Sequence, residues 1–146
     1  MSTNQSYFEL HDLDACNVDE LPDPGFYPGC VERARFRQSA NHNRMLEVLH
    51  TLEDIGPTYQ RVCDYFVLEG EHVSASGLFL ARRRLVELFR ACGIFPAEGD
   101  EIIPAHLLNA RVEVCVEHEQ WQGRPRLRVV GYRAMQSFDS EAKIPF

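Results

Sequence analysis

The chain has 146 residues, of which 45% are hydrophobic and 25% charged, and its formal net charge is −7. This is the size and composition of one globular domain with a buried core. No stretch approaches the ~20 consecutive apolar residues of a membrane-spanning helix, and the first residues lack the basic start and apolar run of a signal peptide. We therefore expect a cytoplasmic protein that does not contact membranes.

The acidic character is confined to the ends of the chain. Residues 1–24 contain six acidic residues and no basic one, and residues 134–146 have a net charge of −1. The body, residues 25–133, is therefore neutral overall, and all of its basic residues are arginines. We interpret 1–24 as an acidic arm, 25–133 as the folded domain and 134–146 as a flexible tail. A neutral body can still present one basic face, and arginine both stacks on bases and pairs with phosphate.

The five cysteines and six histidines are widely spaced. No CxxC pair, His-x3-5-His pair, glycine-rich phosphate loop or nucleophile motif occurs. The sequence predicts no metal, no cofactor and no enzymatic activity. Cys92 and Cys115 lie in apolar patterns that are typical of small buried residues.

Three strands are predicted in the first half of the body. Residues Cys30–Arg37 alternate, and the alternation places Val31 on the same face as Arg33, Arg35 and Arg37. The polar stretch SANHNR predicts a turn, Met45–Leu52 a second strand and Tyr59–Leu68 a third.

The second half predicts a helix followed by a hairpin. Apolar residues fall at helical spacing from Leu78 to Cys92, with Ser74 or Ser76 as the cap and Gly93 as the stop. After a short turn at 105–109, Arg111–His118 alternates and a loop follows at 119–124. A fifth strand continues from Leu127, with Tyr132 on its arginine-bearing face. The sequence therefore predicts a mainly β fold with some α content, a five-stranded OB-type barrel with one helix between strands 3 and 4.

Three stretches carry a family resemblance: GFYPGCVERA, RVCDYFVL and VEHEQWQGRPRLRVVGYR. They resemble a family of small phage proteins encoded beside recombination and replication genes, in which similar D-x-F-x-L and G-x-x-R-x-x-V-x-GY frames surround a helix rich in leucine and arginine. The likeness covers residues 25–133. It implies an OB-fold single-stranded DNA-binding protein, which would act in the host cytoplasm if it is phage-encoded. Small OB proteins often self-associate, so a homo-oligomer is among the expectations.

The ending SFDSEAKIPF carries a second resemblance, to the C-terminal tip of bacterial single-stranded DNA-binding proteins. That tip has acidic residues followed by Ile-Pro-Phe, and it recruits replication and recombination proteins. The matching, partner-binding positions are Asp139, Ile144, Pro145 and Phe146. Lys143 departs from the pattern, because an acidic residue would be expected there.

Single-strand binding needs cations that follow the phosphates and flat side chains on which bases stack. The candidate DNA-binding residues are Arg33, Arg35, Arg37, Arg44, Tyr59, Arg61, Tyr65, Trp121, Arg124, Arg126 and Arg128. Arginines two apart on a strand repeat every ~6.5 Å, comparable to the phosphate spacing of an extended single strand.

Alternatives remain open for these residues. The strand-1 arginines could instead form a solvated edge balanced by the acidic arm, and one tyrosine could belong to the core. Trp121 could pack across a subunit interface. For the whole protein, the alternative is a protein-interaction or adaptor module, such as a phage protein acting on a host factor, without DNA binding.

Overall fold

The strands predicted from alternation pair into one antiparallel sheet. The computed structural model describes residues 21–53, 60–71 and 73–135. The strands are β1 (Gly25–Gln38), β2 (Arg44–Leu52), β3 (Gln60–Glu69), β4 (Arg111–Trp121) and β5 (Arg124–Ala134). A helix, α1 (Ala75–Ala91), and a short 3-10 helix (Pro104–Leu107) lie between β3 and β4. The predicted mainly β fold, with five strands and a helix between the third and fourth, is confirmed.

The order of strands in the sheet is β3-β2-β1-β4-β5. The edge strands β3 and β5 contact each other, but no hydrogen-bonded ladder joins them within the described ranges. Strand β1 is central because its first residues pair with β4 and its later residues pair with β2. It begins five residues before the predicted Cys30. Pro28 and Gly29 lie inside it, and the Pro28 carbonyl accepts the Glu53 N–H at 2.7 Å.

The core lies on the inner face of this curved sheet. Its apolar side chains come from every strand and from α1, and alternate residues of β2 and β4 supply the largest share. The fully buried members from these two strands are Leu46, Val48, Leu52, Val112, Val114 and Val116. This matches the predicted inward face of β4.

Helix α1 packs across β3 and β5. The Ser74 hydroxyl caps its first turn by accepting the Gly77 N–H at 3.0 Å, and Gly93 follows its end with φ of 86°. Leu85, Leu88 and Phe89 form its buried stripe. The helix predicted from the apolar spacing is therefore confirmed, and it lies where β3 and β5 approach each other.

Two bulges change the predicted faces. In β1, Glu32 is an extra residue between the partners of His50 and Leu49, so Val31 is buried while Arg33 points outward. In β5, Val130 is the extra residue between the partners of Val116 and Cys115. A bulge inverts the alternation beyond it, so Tyr132, predicted on the arginine-bearing face, lies in the core. Both face predictions were wrong for this reason.

The predicted loop at 119–124 is shorter in the structure. The β4 ladder runs to Trp121 and β5 begins at Arg124. Gln122 and Gly123 form the connection, with φ of 51° and 77°. Two consecutive left-handed residues give the turn whose twist matches an antiparallel hairpin. Trp121 is therefore a strand residue at the tip of a hairpin.

Candidate nucleic-acid interface

Three arginines of β1 form a row on the outer face of the sheet. Alternation sends Arg33, Arg35 and Arg37 to the same side, and their side chains are 46%, 50% and 46% exposed. The row has the spacing expected for a strand, and the bulge at Glu32 sets its phase. Half of each side chain faces solvent, so all three can reach a bound ligand.

The three arginines share one acidic neighbour. Glu47 of β2 lies directly opposite Arg35, its side chain is only 2% exposed, and its carboxylate lies 3.3, 2.7 and 2.8 Å from Arg33, Arg35 and Arg37. Burial opposes ionisation, but hydrogen bonds from Arg37 and Arg35 and the nearby positive charges outweigh it, so the pKa of Glu47 lies below its usual value. The cluster therefore keeps a net charge of +2 on the outer face.

Sequence reasoning missed Glu47. An available signal was an acidic residue inside an otherwise apolar strand, MLEVL, paired with an arginine-rich one. A buried carboxylate must be paired, and the neighbouring strand supplies the partners. Arg35 and Arg37 donate hydrogen bonds to the two carboxylate oxygens of Glu47, and Arg33 forms an ion pair with the same group, so Glu47 orients the row.

Strand β3 continues this outer face. Tyr65 lies opposite Glu47 and is 46% exposed, so its ring is available for stacking. Hydrogen bonding to Cys63, followed by burial, raises the pKa of the Tyr65 hydroxyl, which keeps it neutral. Arg61 lies on the same face and pairs with Glu32 at 3.2 Å. Of the two tyrosines predicted for β3, Tyr65 is thus on the outer face, and Tyr59 lies outside the described residues.

The β4–β5 hairpin carries the other predicted group. Trp121 is 50% exposed, and the Arg126 guanidinium lies 4.7 Å from its ring centre. Arg124 is the cross-strand partner of Trp121, and Arg128 lies opposite Glu117. Arg126 also pairs with Glu119 at 2.5 Å. One exposed indole with three arginines on the adjoining strand is a suitable arrangement for a base and its phosphates.

A slot of about 750 Å³ lies between the edges of β3 and β5. Arg61 and Tyr65 line it from β3, and Arg126 and Arg128 line it from β5. Asp64 and Glu119 also line it, so arginines outnumber carboxylates four to two when Arg84 is included. The slot thus joins the outer face of β1–β3 to the hairpin, and the two predicted groups form one continuous surface.

The last described residues of the acidic arm reach this slot. Leu21 lines it, and the Pro22 carbonyl lies 2.7 Å from Nε2 of His118 on β4. Residues 1–20 lie outside the described ranges.

Some predicted residues are not part of this surface. Arg44 pairs with Glu69 at 3.1 Å and stacks on Phe36, on the side of the sheet that carries α1. The structure therefore separates Arg44 from the β1 row. The partner-binding residues Asp139, Ile144, Pro145 and Phe146 lie outside the described residues.

A buried polar network lies beneath the slot. The Tyr132 hydroxyl donates to Asp64 at 2.6 Å and lies 2.9 Å from Nε2 of His50, which is fully buried. Arg84 of α1 donates to the same Asp64 oxygen at 2.5 Å. Burial raises the pKa of Asp64, even though Arg84 and Tyr132 favour its charged form. The network ties β2, β3, β5 and α1 together.

Among the residues that the structure describes, no cluster of three or more His, Cys, Asp and Glu side chains could hold a metal ion. Cys92 and Cys115, predicted as buried, are both only partly buried, and desolvation raises the pKa of Cys92 to about 11. No described helix has the length and apolar character needed to span a membrane.

No protein-family model matches the chain, and no curated protein matches it either.

Proposed function

We propose that this protein is a non-catalytic single-stranded DNA-binding protein with an OB-type barrel. Three features support the fold. The first is the order of the elements, which is three meandering strands followed by a helix and a hairpin. The others are the central strand β1, which pairs with both β2 and β4, and the position of the helix beneath the β3–β5 junction. In OB folds the outer face of the middle strands and the adjoining loops bind nucleic acid. The arginine row, the slot and the hairpin support the proposal, because they lie on the outer face and on the hairpin that would correspond to those places in such a barrel.

One observation carries the proposal: half-exposed arginines and aromatic rings form a continuous surface. The Arg33–Arg37 row leads through Tyr65 and the slot to Trp121. Phosphates would lie along the arginines and bases would stack on the rings, which needs no base-specific contact. The tail would recruit replication or recombination proteins, as its likeness to bacterial tips implies. Phage-type replication or recombination is the corresponding setting.

The adaptor alternative has its own support. Most arginines of the surface already have carboxylate partners, as Arg35 has Glu47 and Arg126 has Glu119. Such pairs reduce the field that a polyanion meets. In an adaptor the ion pairs would only stabilise the sheet, and the exposed apolar side chains of α1 would bind the partner protein.

The test is titration of labelled oligo(dT), followed by fluorescence anisotropy at two salt concentrations, with a duplex of equal length as the comparison. We expect binding to the single strand that weakens as salt rises. Absence of binding at low salt would contradict the proposal, and so would equal affinity for the duplex.

A neutral variant locates the binding surface. Replacing the row together with its carboxylate (R33Q/R35Q/R37Q/E47Q) removes the net positive charge and leaves no unpaired buried carboxylate. Each lost phosphate contact lowers the slope of log K against log salt by about 0.7, so we expect a slope about 2 smaller. The control R44Q/R82Q removes the same net charge from the α1 side of the sheet. An equal loss in the control would show that only total charge matters.

The tail is tested separately. Deleting Ile144–Phe146 should leave DNA affinity unchanged or stronger and abolish capture of partner proteins. A loss of DNA binding in this deletion would show that the tail belongs to the binding fold.

A further inference from the structure

Helix α1 has an exposed face that combines an apolar groove with unpaired arginines. Phe79 is 63% exposed. Phe79 and Val86 line a groove of about 790 Å³ together with Arg83 and Arg90. These four residues follow each other at spacings of four, three and four, which places them on one stripe of the helix. Neither Arg83 nor Arg90 has an ion-pair partner among the described residues.

Strand β5 ends beside the same groove. Tyr132 and Arg133, near the end of β5, line its wall. The two acidic residues in the groove are Glu87 and Glu98, and Glu87 already accepts the Tyr132 N–H at 2.9 Å. Four arginines line the groove, Arg82, Arg83, Arg90 and Arg133, and Arg133 is paired with Glu113. The other three outnumber the two carboxylates, so the groove has a small excess of positive charge beside an exposed aromatic ring. An acidic peptide with bulky apolar residues is the ligand that fits.

We propose that residues 136–146 of the same chain dock in this groove. The segment begins three residues after Arg133 and contains the matching groups: Asp139 and Glu141 for the arginines, and Phe138, Ile144 and Phe146 for the apolar stripe. Eleven extended residues reach roughly 36 Å. The 17 residues of α1 span about 26 Å, so the segment is long enough to cover the groove.

Docking would hide the partner-recruiting tail until a partner competes for it. Because the segment is tethered next to its site, its effective concentration is on the order of millimolar, so even weak affinity gives substantial occupancy. The groove lies on the α1 side and not on the arginine row or the slot. This inference therefore does not depend on DNA binding.

The test uses ¹⁵N-labelled full-length protein and amide NMR. Charge reversal in the groove (R83E/R90E) should free the tail, so that amide order parameters of residues 138–144 and 146 fall from ~0.85 to below ~0.6. The tail variant F138S/I144S/F146S should shift the amides of Phe79, Val86 and Arg90 in the unchanged groove. The matched variant Q136A/S140A, with the apolar and charged tail residues intact, should leave them in place.

Three results would overturn the proposal. The tail could be equally mobile in the wild type and in R83E/R90E, or the tail variant could shift amides of the slot while those of α1 stay unchanged. The shifts could also depend on protein concentration, which would assign the groove to the tail of a second copy. Circular dichroism of R83E/R90E controls for folding, and the tail variant gives an independent readout with the groove residues unchanged.

Discussion

His50 should make the stability of the protein fall as the pH drops from about 6.5 to about 4. Its imidazole is fully buried, and burial lowers its pKa to about 4, whereas an unfolded histidine titrates near 6.5. The Tyr132 hydroxyl donates a hydrogen bond to Asp64. The hydroxyl oxygen of Tyr132 therefore accepts a hydrogen bond from Nε2–H of His50. A second proton would go on Nδ1, which has no hydrogen-bond partner among the described residues.

The direction and the magnitude of this stability change follow from the folded and unfolded pKa values of His50. Below about pH 6.5 the His50 imidazole binds a proton in the unfolded chain, whereas in the folded protein it stays neutral until about pH 4. Acid therefore favours unfolding. At about 1.4 kcal/mol per pH unit, the loss amounts to about 3 kcal/mol. Glu47, with its lowered pKa, adds a further loss as the pH falls through its folded-state value. Asp64, with its raised pKa, acts in the opposite direction.

Urea unfolding, followed by far-UV circular dichroism at about pH 7 and about pH 4.5, measures the effect. H50Q removes the titrating group and leaves Glu47 and Asp64 in place, so its stability should fall less with acid than that of the wild type, by about 2–3 kcal/mol. The control H106Q changes an exposed histidine and should behave as the wild type. If H50Q and the wild type lose the same stability between the two pH values, the argument from burial is refuted.

Three further predictions concern other parts of the molecule. W121A should weaken oligo(dT) binding by about 1–3 kcal/mol and leave the slope of log K against log salt unchanged, whereas W121F should retain most of the affinity. A changed slope in anisotropy titrations of W121A would contradict stacking. G29A should lower the unfolding free energy by about 1–3 kcal/mol, because the new Cβ would lie 2.9 Å from Val114 Cγ2. The control G131A meets only ordinary van der Waals contacts. Equal denaturation midpoints for the two variants would argue against crowding at Gly29. Replacing four of the six acidic residues of the arm (D12N/D14N/D19N/E20Q) should tighten DNA binding. The loop control E71Q/E98Q/D100N/E101Q removes the same number of charges, and an affinity equal to that of this control would place the arm away from the slot.

The sequence predicted the elements of this fold because alternation and helical spacing are local properties. The α1 stripe, its Ser74 cap and the five strands all follow from patterns within about ten residues. The bulges at Glu32 and Val130 could not be predicted in this way, since an extra residue depends on the register with the neighbouring strand. They account for the wrong faces of Val31 and Tyr132.

The candidate site was predicted in its composition but not in its pairing. The arginine row and the exposed Trp121 follow from the sequence, while Glu47 belongs to the site only because β2 places it beneath the row. Likewise, the His50–Tyr132–Asp64 network joins three strands that are distant in sequence. Arg84 shows the same limit: it is one of three consecutive arginines of α1, and only the structure pairs it with Asp64. Charge counts along a chain cannot show which charges neutralise each other.

The open junction between β3 and β5 has a consequence for self-assembly. A free sheet edge is a template on which other strands can polymerise, and proteins usually protect such edges. Here the two edges face each other across the slot, held at that distance by Tyr132, Asp64 and α1. An incoming strand would have to enter between Arg61 and Arg128 and desolvate both. Although β3 and β5 are not joined by a hydrogen-bonded ladder within the described ranges, their edges therefore do not offer a template to which strands of other molecules could add.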